Sequence, residues 1–234
     1  MKLKNYVYCA LDFSDLNQTL NFTDKIFKHI GGVKVGLEFF VKYGIEGVLK
    51  IKNFGIPIFL DLKLHDIPNT VKKTTENILK IQPHLLTIHL TGGSEMIKQV
   101  CSVKADTKII GVTMLTSLDR NDLKACGVEI PESKFVENLT NLGFKSGIDG
   151  IVSSPLELTN LKKKFGNSLI YVTPGIRLNE NKKNDQKRVS SPGQAVVNGS
   201  SLLVIGRPIT TSPNPIKSIE KILRNIRESL ESRN

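Results

Sequence analysis

Eight short apolar runs recur along the 234-residue chain, and between most of them apolar residues return every three or four positions. The runs are Tyr6 to Leu11, Gly32 to Leu37, Ile56 to Leu64, Leu85 to Leu90, Lys108 to Leu115, Gly150 to Ser153, Leu169 to Thr173 and Leu202 to Ile205. Continuous apolar stretches of this length predict strands buried on both faces. The segments Leu16 to Ile30, Val71 to Ile81 and Phe135 to Phe144 have helical spacing. The last run is followed by Ile216 to Leu230, a charged segment with Ile219, Ile222, Leu223, Ile226 and Leu230 on one helical stripe. Strands alternating with helices predict a parallel sheet covered by helices. Eight such units in this length predict a (β/α)8 TIM barrel, residues 1–234 as a single domain. A doubly wound open sheet is the alternative, since an error of one strand in the count would leave the sheet unclosed.

In a barrel, the C-terminal ends of the strands build the site. Those ends carry Asp12 after the first run, Lys34 within the second, and Asp61 and Lys63 near the end of the third. His89 ends the fourth, Thr116 and Ser117 follow the fifth, and Ser153 and Ser154 end the sixth. Pro174, Gly175, Ile176 and Arg177 follow the seventh, and Gly206 and Arg207 follow the eighth. Two aspartates, two lysines and two arginines converge on one face.

The densest of these ends is Asp61-Leu62-Lys63-Leu64-His65-Asp66-Ile67-Pro68-Asn69-Thr70. Asp61 and Lys63 are two apart, so on an extended segment they point to the same side. Charges at the mouth of an apolar strand are costly to desolvate unless they pair or perform chemistry. Lys34, Asp61, Lys63 and Asp66 are expected to alternate in sign, each lysine between carboxylates, with Asp66 holding Lys63. A protonated lysine held against a substrate carbon is a general acid. Paired carboxylates are also a metal-binding pattern, which two interposed lysines disfavour. A buried ion-pair network without chemistry is the other reading. His65 and His89 are expected to be hydrogen-bonded structural residues.

The ends of the seventh and eighth strands have the makings of a phosphate site. Gly206 lets backbone N–H groups approach an anion, Arg207 offers a bidentate contact, and Arg177 lies on the neighbouring loop. That loop, Arg177 to Gln186, is long and polar, and is read as a lid beside the phosphate. A glycine turn with a surface arginine, and an ordinary surface loop, are the alternatives.

Composition narrows the class. Hydrophobic residues make up 39% of the chain, which fits a globular protein. No apolar stretch approaches a membrane span and the N-terminus has no signal-peptide core, so a cytoplasmic location is expected. Cys9, Cys101 and Cys126 are odd in number and lack metal-ligand spacing, so neither a disulfide framework nor a zinc site is expected. The net charge of +11 raises a nucleic-acid surface. The lysines are scattered, however, their short clusters (Lys162 to Lys164, Lys182 and Lys183) have no interleaved aromatics, and there is no Trp. A lysine-rich protein that binds a small anion fits better, with no nucleic-acid or membrane partner.

The stretch Asp61 to Val71 closely resembles the signature of the orotidine 5′-phosphate decarboxylase family. Agreeing blocks lie in order at Ala10-Leu11-Asp12, Val33-Lys34-Val35-Gly36, Leu115-Thr116-Ser117, Thr173-Pro174-Gly175-Ile176-Arg177, Asp185-Gln186-Lys187-Arg188-Val189 and Val204-Ile205-Gly206-Arg207-Pro208-Ile209. The resemblance implies a cofactor-free and metal-free decarboxylation of orotidine 5′-phosphate to UMP, the last step of pyrimidine nucleotide synthesis. It implies that Lys63 gives a proton to C6, that Asp61 sits near the departing carboxylate, and that Lys34 bridges Asp61 and the ribose. It places Asp12 on ribose hydroxyls, Thr116 on the pyrimidine amide edge, Gln186 on phosphate and pyrimidine, and Gly206 and Arg207 on the phosphate; Arg177 is matched without a defined role. It also implies a homodimer in which Asp66, Ile67 and Thr70 serve the partner's site.

Leu178 stands where the family often has proline, and Ser201 where aspartate is common; both lie away from the chemical groups. Two other classes stay open. A metal-dependent hexulose phosphate synthase shares Asp-x-Lys-x-x-Asp, although the His65 to Thr70 continuation and Gln186 weigh against it. A basic nucleic-acid binder has only net charge in its favour.

Overall fold

The computed structural model describes residues 2–178 and 189–233. Eight parallel strands close into a barrel in sequence order. They are β1 (Val7–Ala10), β2 (Gly32–Gly36), β3 (Ile58–Leu64), β4 (Leu85–His89), β5 (Lys108–Val112), β6 (Gly150–Val152), β7 (Ile170–Thr173) and β8 (Leu202–Ile205). Closure is direct, because β1 pairs with both β2 and β8. The (β/α)8 expectation holds, and the open sheet does not.

The strands are buried on both sides for the reason their sequences predict. Tyr8, Phe59, Leu85, Ile110, Val172 and Leu202 fill the barrel interior as one cluster. Their neighbours of opposite parity, such as Cys9, Leu60, Leu86, Ile109, Tyr171 and Leu203, pack outward under the helices. The Tyr8 ring sets a local demand: a Cβ on Gly32 would lie 2.3 Å from it, so that inner position accepts only glycine without a shift.

The helices are α1 (Leu16–Ile26), α2 (Leu37–Lys52), α3 (Pro68–Leu79), α4 (Gly93–Val103), α5 (Arg120–Ala125), α6 (Glu132–Lys145), α7 (Leu158–Phe165), α8 (Pro192–Val197), α9 (Arg207–Thr210) and α10 (Pro215–Glu231). Local sequence starts them. The Asp15 carboxylate accepts the Gln18 N–H at 2.7 Å ahead of α1, Pro68 opens α3, and Asn214 accepts the Lys217 N–H at 3.0 Å ahead of α10. Along α10, Ile219, Ile222 and Ile226 are fully buried, as the stripe predicts. No helix among the described residues is long and apolar enough to cross a membrane.

One strand departs from regular geometry. Leu60 on β3 pairs with Leu86 on β4, but the next pair is Leu64 with Ile88, so β3 carries two extra residues there. Lys63 lies inside this irregularity with φ 51°, a left-handed conformation uncommon for a side chain of its size. Extended geometry therefore does not explain why Asp61 and Lys63 share a side. The bulge does, by turning Lys63 back over the barrel mouth.

Candidate active site

At the C-terminal ends of the strands lies a cavity of about 640 Å³. Its apolar lining includes Phe59, Val112, Val152, Val172 and Val204, inward positions of β3, β5, β6, β7 and β8. Its polar rim includes Asp12, Lys34, Asp61, Lys63, Thr116, Arg177, Gly206 and Arg207, so eight of the expected residues meet there.

The charges form a chain in space. Lys63 Nζ lies 2.8 Å from Asp61 Oδ1, Lys34 Nζ lies 3.6 Å from Asp61 Oδ2, and the same Nζ lies 3.4 Å from Asp12 Oδ1. The observed order is Asp12, Lys34, Asp61, Lys63. Lys34 and Asp61 are largely enclosed, with side chains 12% and 13% exposed, whereas Asp12 and Lys63 open toward the cavity. Burial pushes the Asp61 carboxyl upward. Lys34, Lys63 and hydrogen bonds from Lys63 and Thr87 outweigh it and hold the group below the usual carboxylate range. The result is an ionised carboxylate with each oxygen turned to a different ammonium.

Asp66 does not join this chain within one molecule. After Leu64 the backbone leaves the barrel to start α3, and the exposed Asp66 carboxylate accepts the Ile67 N–H at 2.6 Å instead of meeting Lys63. Ile67 and Thr70 are exposed and also lie outside the cavity wall. Gln186 and the rest of 179–188 lie outside the described residues, including most of the expected lid.

The opposite rim is built by β7 and β8. Gly206 is the N-cap of α9 and Arg207 its first residue, so the start of a helix and a guanidinium face the cavity together. Arg177 donates to the Ile176 carbonyl at 2.8 Å, and its backbone N–H donates to Ser190 O at 3.0 Å. The loop carrying Asp12 is held from α2, where the Tyr43 hydroxyl donates to the Ser14 carbonyl at 2.9 Å and Lys42 donates to the same oxygen.

His65 and His89 face one another with ring centroids 5.4 Å apart, and among the described residues neither ring has the expected hydrogen bond. Burial, His65 and Lys63 lower the His89 pKa against the opposing pull of Asp61, which keeps that imidazole neutral at pH 7. Sequence reasoning missed Phe13, Gln18, Met114, Thr210 and Thr211 in the cavity wall, and Thr87 behind Asp61. Thr211 sits a helical turn from Arg207, a signal in the sequence. Thr87 shares strand parity with the inward Leu85, a weaker one.

A model of the family described as "Orotidine 5′-phosphate decarboxylase / HUMPS family" matches residues 5–222. Similar proteins include an orotidine 5′-phosphate decarboxylase of Ehrlichia chaffeensis, 45% identical over 95% of this chain and 97% of that protein. Another, from Wolbachia pipientis subsp. Culex pipiens, is 42% identical over 95% of this chain and 99% of the relative. A crystal structure of orotidine 5′-phosphate decarboxylase from Lactobacillus acidophilus superposes with TM-score 0.84 at 35% identity, covering 94% of this chain and 98% of the other.

Proposed function

The chain belongs to the orotidine 5′-phosphate decarboxylase / HUMPS family, and from that premise we propose that it converts orotidine 5′-phosphate to UMP and carbon dioxide in pyrimidine nucleotide synthesis. The observation that carries the reading is the Lys63–Asp61 pair, 2.8 Å apart over an apolar floor and facing a rim that holds Gly206 and Arg207. Breaking the bond between C6 and the carboxyl carbon leaves its electron pair on C6, with no neighbouring carbonyl to spread it. Preorganised positive charge is then the main means of stabilisation. Lys63 supplies that charge and gives its proton to C6, and solvent returns the proton to Lys63. Asp61 lies beside the departing carboxylate and fixes both lysines. Lys34 links Asp61 to Asp12, which takes ribose hydroxyls. Thr116 faces the pyrimidine amide edge, Gly206 and Arg207 hold the phosphate beside Arg177, and Gln186 reaches phosphate and pyrimidine.

The reading needs a second copy of the chain. α2 breaks at Gly44 (φ 56°, ψ −154°); Leu37 and Val41 before the break and Ile45 and Leu49 after it are exposed, Val41 by 77%, and Ile67 is 67% exposed near the start of α3. Large apolar side chains left exposed on neighbouring segments of the surface fit a subunit interface. We assign it to a homodimer in which Asp66, Ile67 and Thr70 complete the partner's site. Residues 1–234 act as one barrel unit in the cytoplasm, and no cofactor is assigned.

Purified protein treated with EDTA and given orotidine 5′-phosphate is expected to release UMP and carbon dioxide in equal amounts. Folded, dimeric protein that leaves the substrate intact under these conditions, and turns over only with added magnesium or not at all, would overturn the assignment.

A further inference from the structure

The proton donor sits on irregular backbone, and that backbone is tied to the neighbouring strand by one side chain. Lys63 has φ 51° inside the β3 bulge, and a bulge takes N–H groups out of the strand ladder. The Lys63 N–H donates instead to Thr87 Oγ1 at 2.9 Å. The Thr87 hydroxyl donates in turn to Asp61 Oδ1 at 3.1 Å, the same oxygen that accepts from Lys63 Nζ at 2.8 Å. A hydroxyl has one proton to give and lone pairs to receive with, and here both capacities are used. Thr87 is fully buried on the inward parity of β4, two residues and one layer beyond Leu85 of the inner core. Valine would fill nearly the same volume and supply neither bond.

We propose that Thr87 is a positioning residue for the decarboxylation: its hydroxyl locks the bulged Lys63 backbone and the Asp61 carboxylate to each other, and so sets where the Lys63 ammonium points. The proposal rests on the decarboxylase reading above. It accounts for a buried hydroxyl beside the enclosed Lys34 and Asp61 and for how left-handed backbone is held at a working lysine. A proton donor displaced slightly from its acceptor loses rate far more than affinity.

The test compares wild type with Thr87→Val, Thr87→Ala and Thr87→Ser by steady-state turnover of orotidine 5′-phosphate across the acid and neutral range, with a thermal melt for each protein. Thr87→Val is expected to lower kcat by about tenfold or more while KM stays within about threefold. Its acid limb should move to higher pH, because Asp61 has lost a hydrogen bond that favours its charged form. Thr87→Ser, which keeps the hydroxyl, should bring both readouts back to within about threefold of wild type. Thr87→Ala carries the same expectations if the valine variant does not fold. A folded valine or alanine variant with wild-type kcat and acid limb would overturn the proposal, as would a serine variant as slow as valine. A wild type that does not turn over the substrate overturns the decarboxylase reading itself, and Thr87's role with it; a loss confined to the variants cannot be mistaken for that result.

Discussion

At the residue scale, the site is governed by where charge is held. Asp61 is enclosed between two ammonium groups, so its stabilising effect has a definite direction with pH. Its folded-state pKa lies below the ordinary carboxylate value, so its contribution is present above that value and is lost as pH falls through the depressed one. Lys34→Met removes one of the charges that depress it. The acid limb of kcat/KM should then move upward, toward or past the ordinary carboxylate pKa of about 4, and a pH–rate profile of the variant beside wild type checks this. Arg207→Ala should cost roughly 3 kcal/mol or more in kcat/KM, because it leaves a bound phosphate without its charged contact. A loss of less than about threefold in steady-state kinetics would remove Arg207 from the phosphate site. Most of these residues were legible because they end strands: Asp12, Lys34, Asp61, Lys63, Thr116, Arg177, Gly206 and Arg207 all reach the cavity. Thr87 was not, because a threonine among Leu85, Leu86 and Ile88 reads as ordinary β-branched strand filling until the bulge opposite it is known.

At the element scale, the eight strands and the last helix follow from hydrophobic patterning, since burial on both faces leaves few polar positions in a strand. What patterning does not carry is the break in β3. The run from Ile56 to Leu64 looks continuous, yet two extra residues opposite β4 turn Lys63 left-handed and aim it at the cavity. A register shift depends on which residues face each other across strands, and one strand's sequence does not encode that. The exposed apolar residues of α2 were equally hidden, because apolar positions on an outer face look like core until the barrel shows which face is already used. α10 offers a clean test of core packing far from the chemistry. Ile222→Ala should destabilise the protein by about 2–5 kcal/mol with KM unchanged, measured by denaturant unfolding and kinetics on the same sample.

At the scale of the whole molecule, the barrel supplies one incomplete set of charges and the second copy is assigned the rest. Lys63→Ala and Asp66→Ala should each be inactive as homodimers. Mixing them through a step that dissociates and reassembles subunits should restore about a quarter of wild-type activity, since half the dimers are mixed and each mixed dimer has one intact site. Absence of recovery in demonstrably mixed dimers would return Asp66 to a role within its own chain. The most direct measurement is the absorbance change of orotidine 5′-phosphate with wild type and Lys63→Ala side by side in EDTA. Rapid loss with wild type and a rate lower by about a thousandfold or more with folded, dimeric Lys63→Ala is expected of a general acid that also carries the stabilising charge. Equal rates for the two proteins would contradict the assignment of Lys63 as proton donor, and no turnover by either would contradict the reaction.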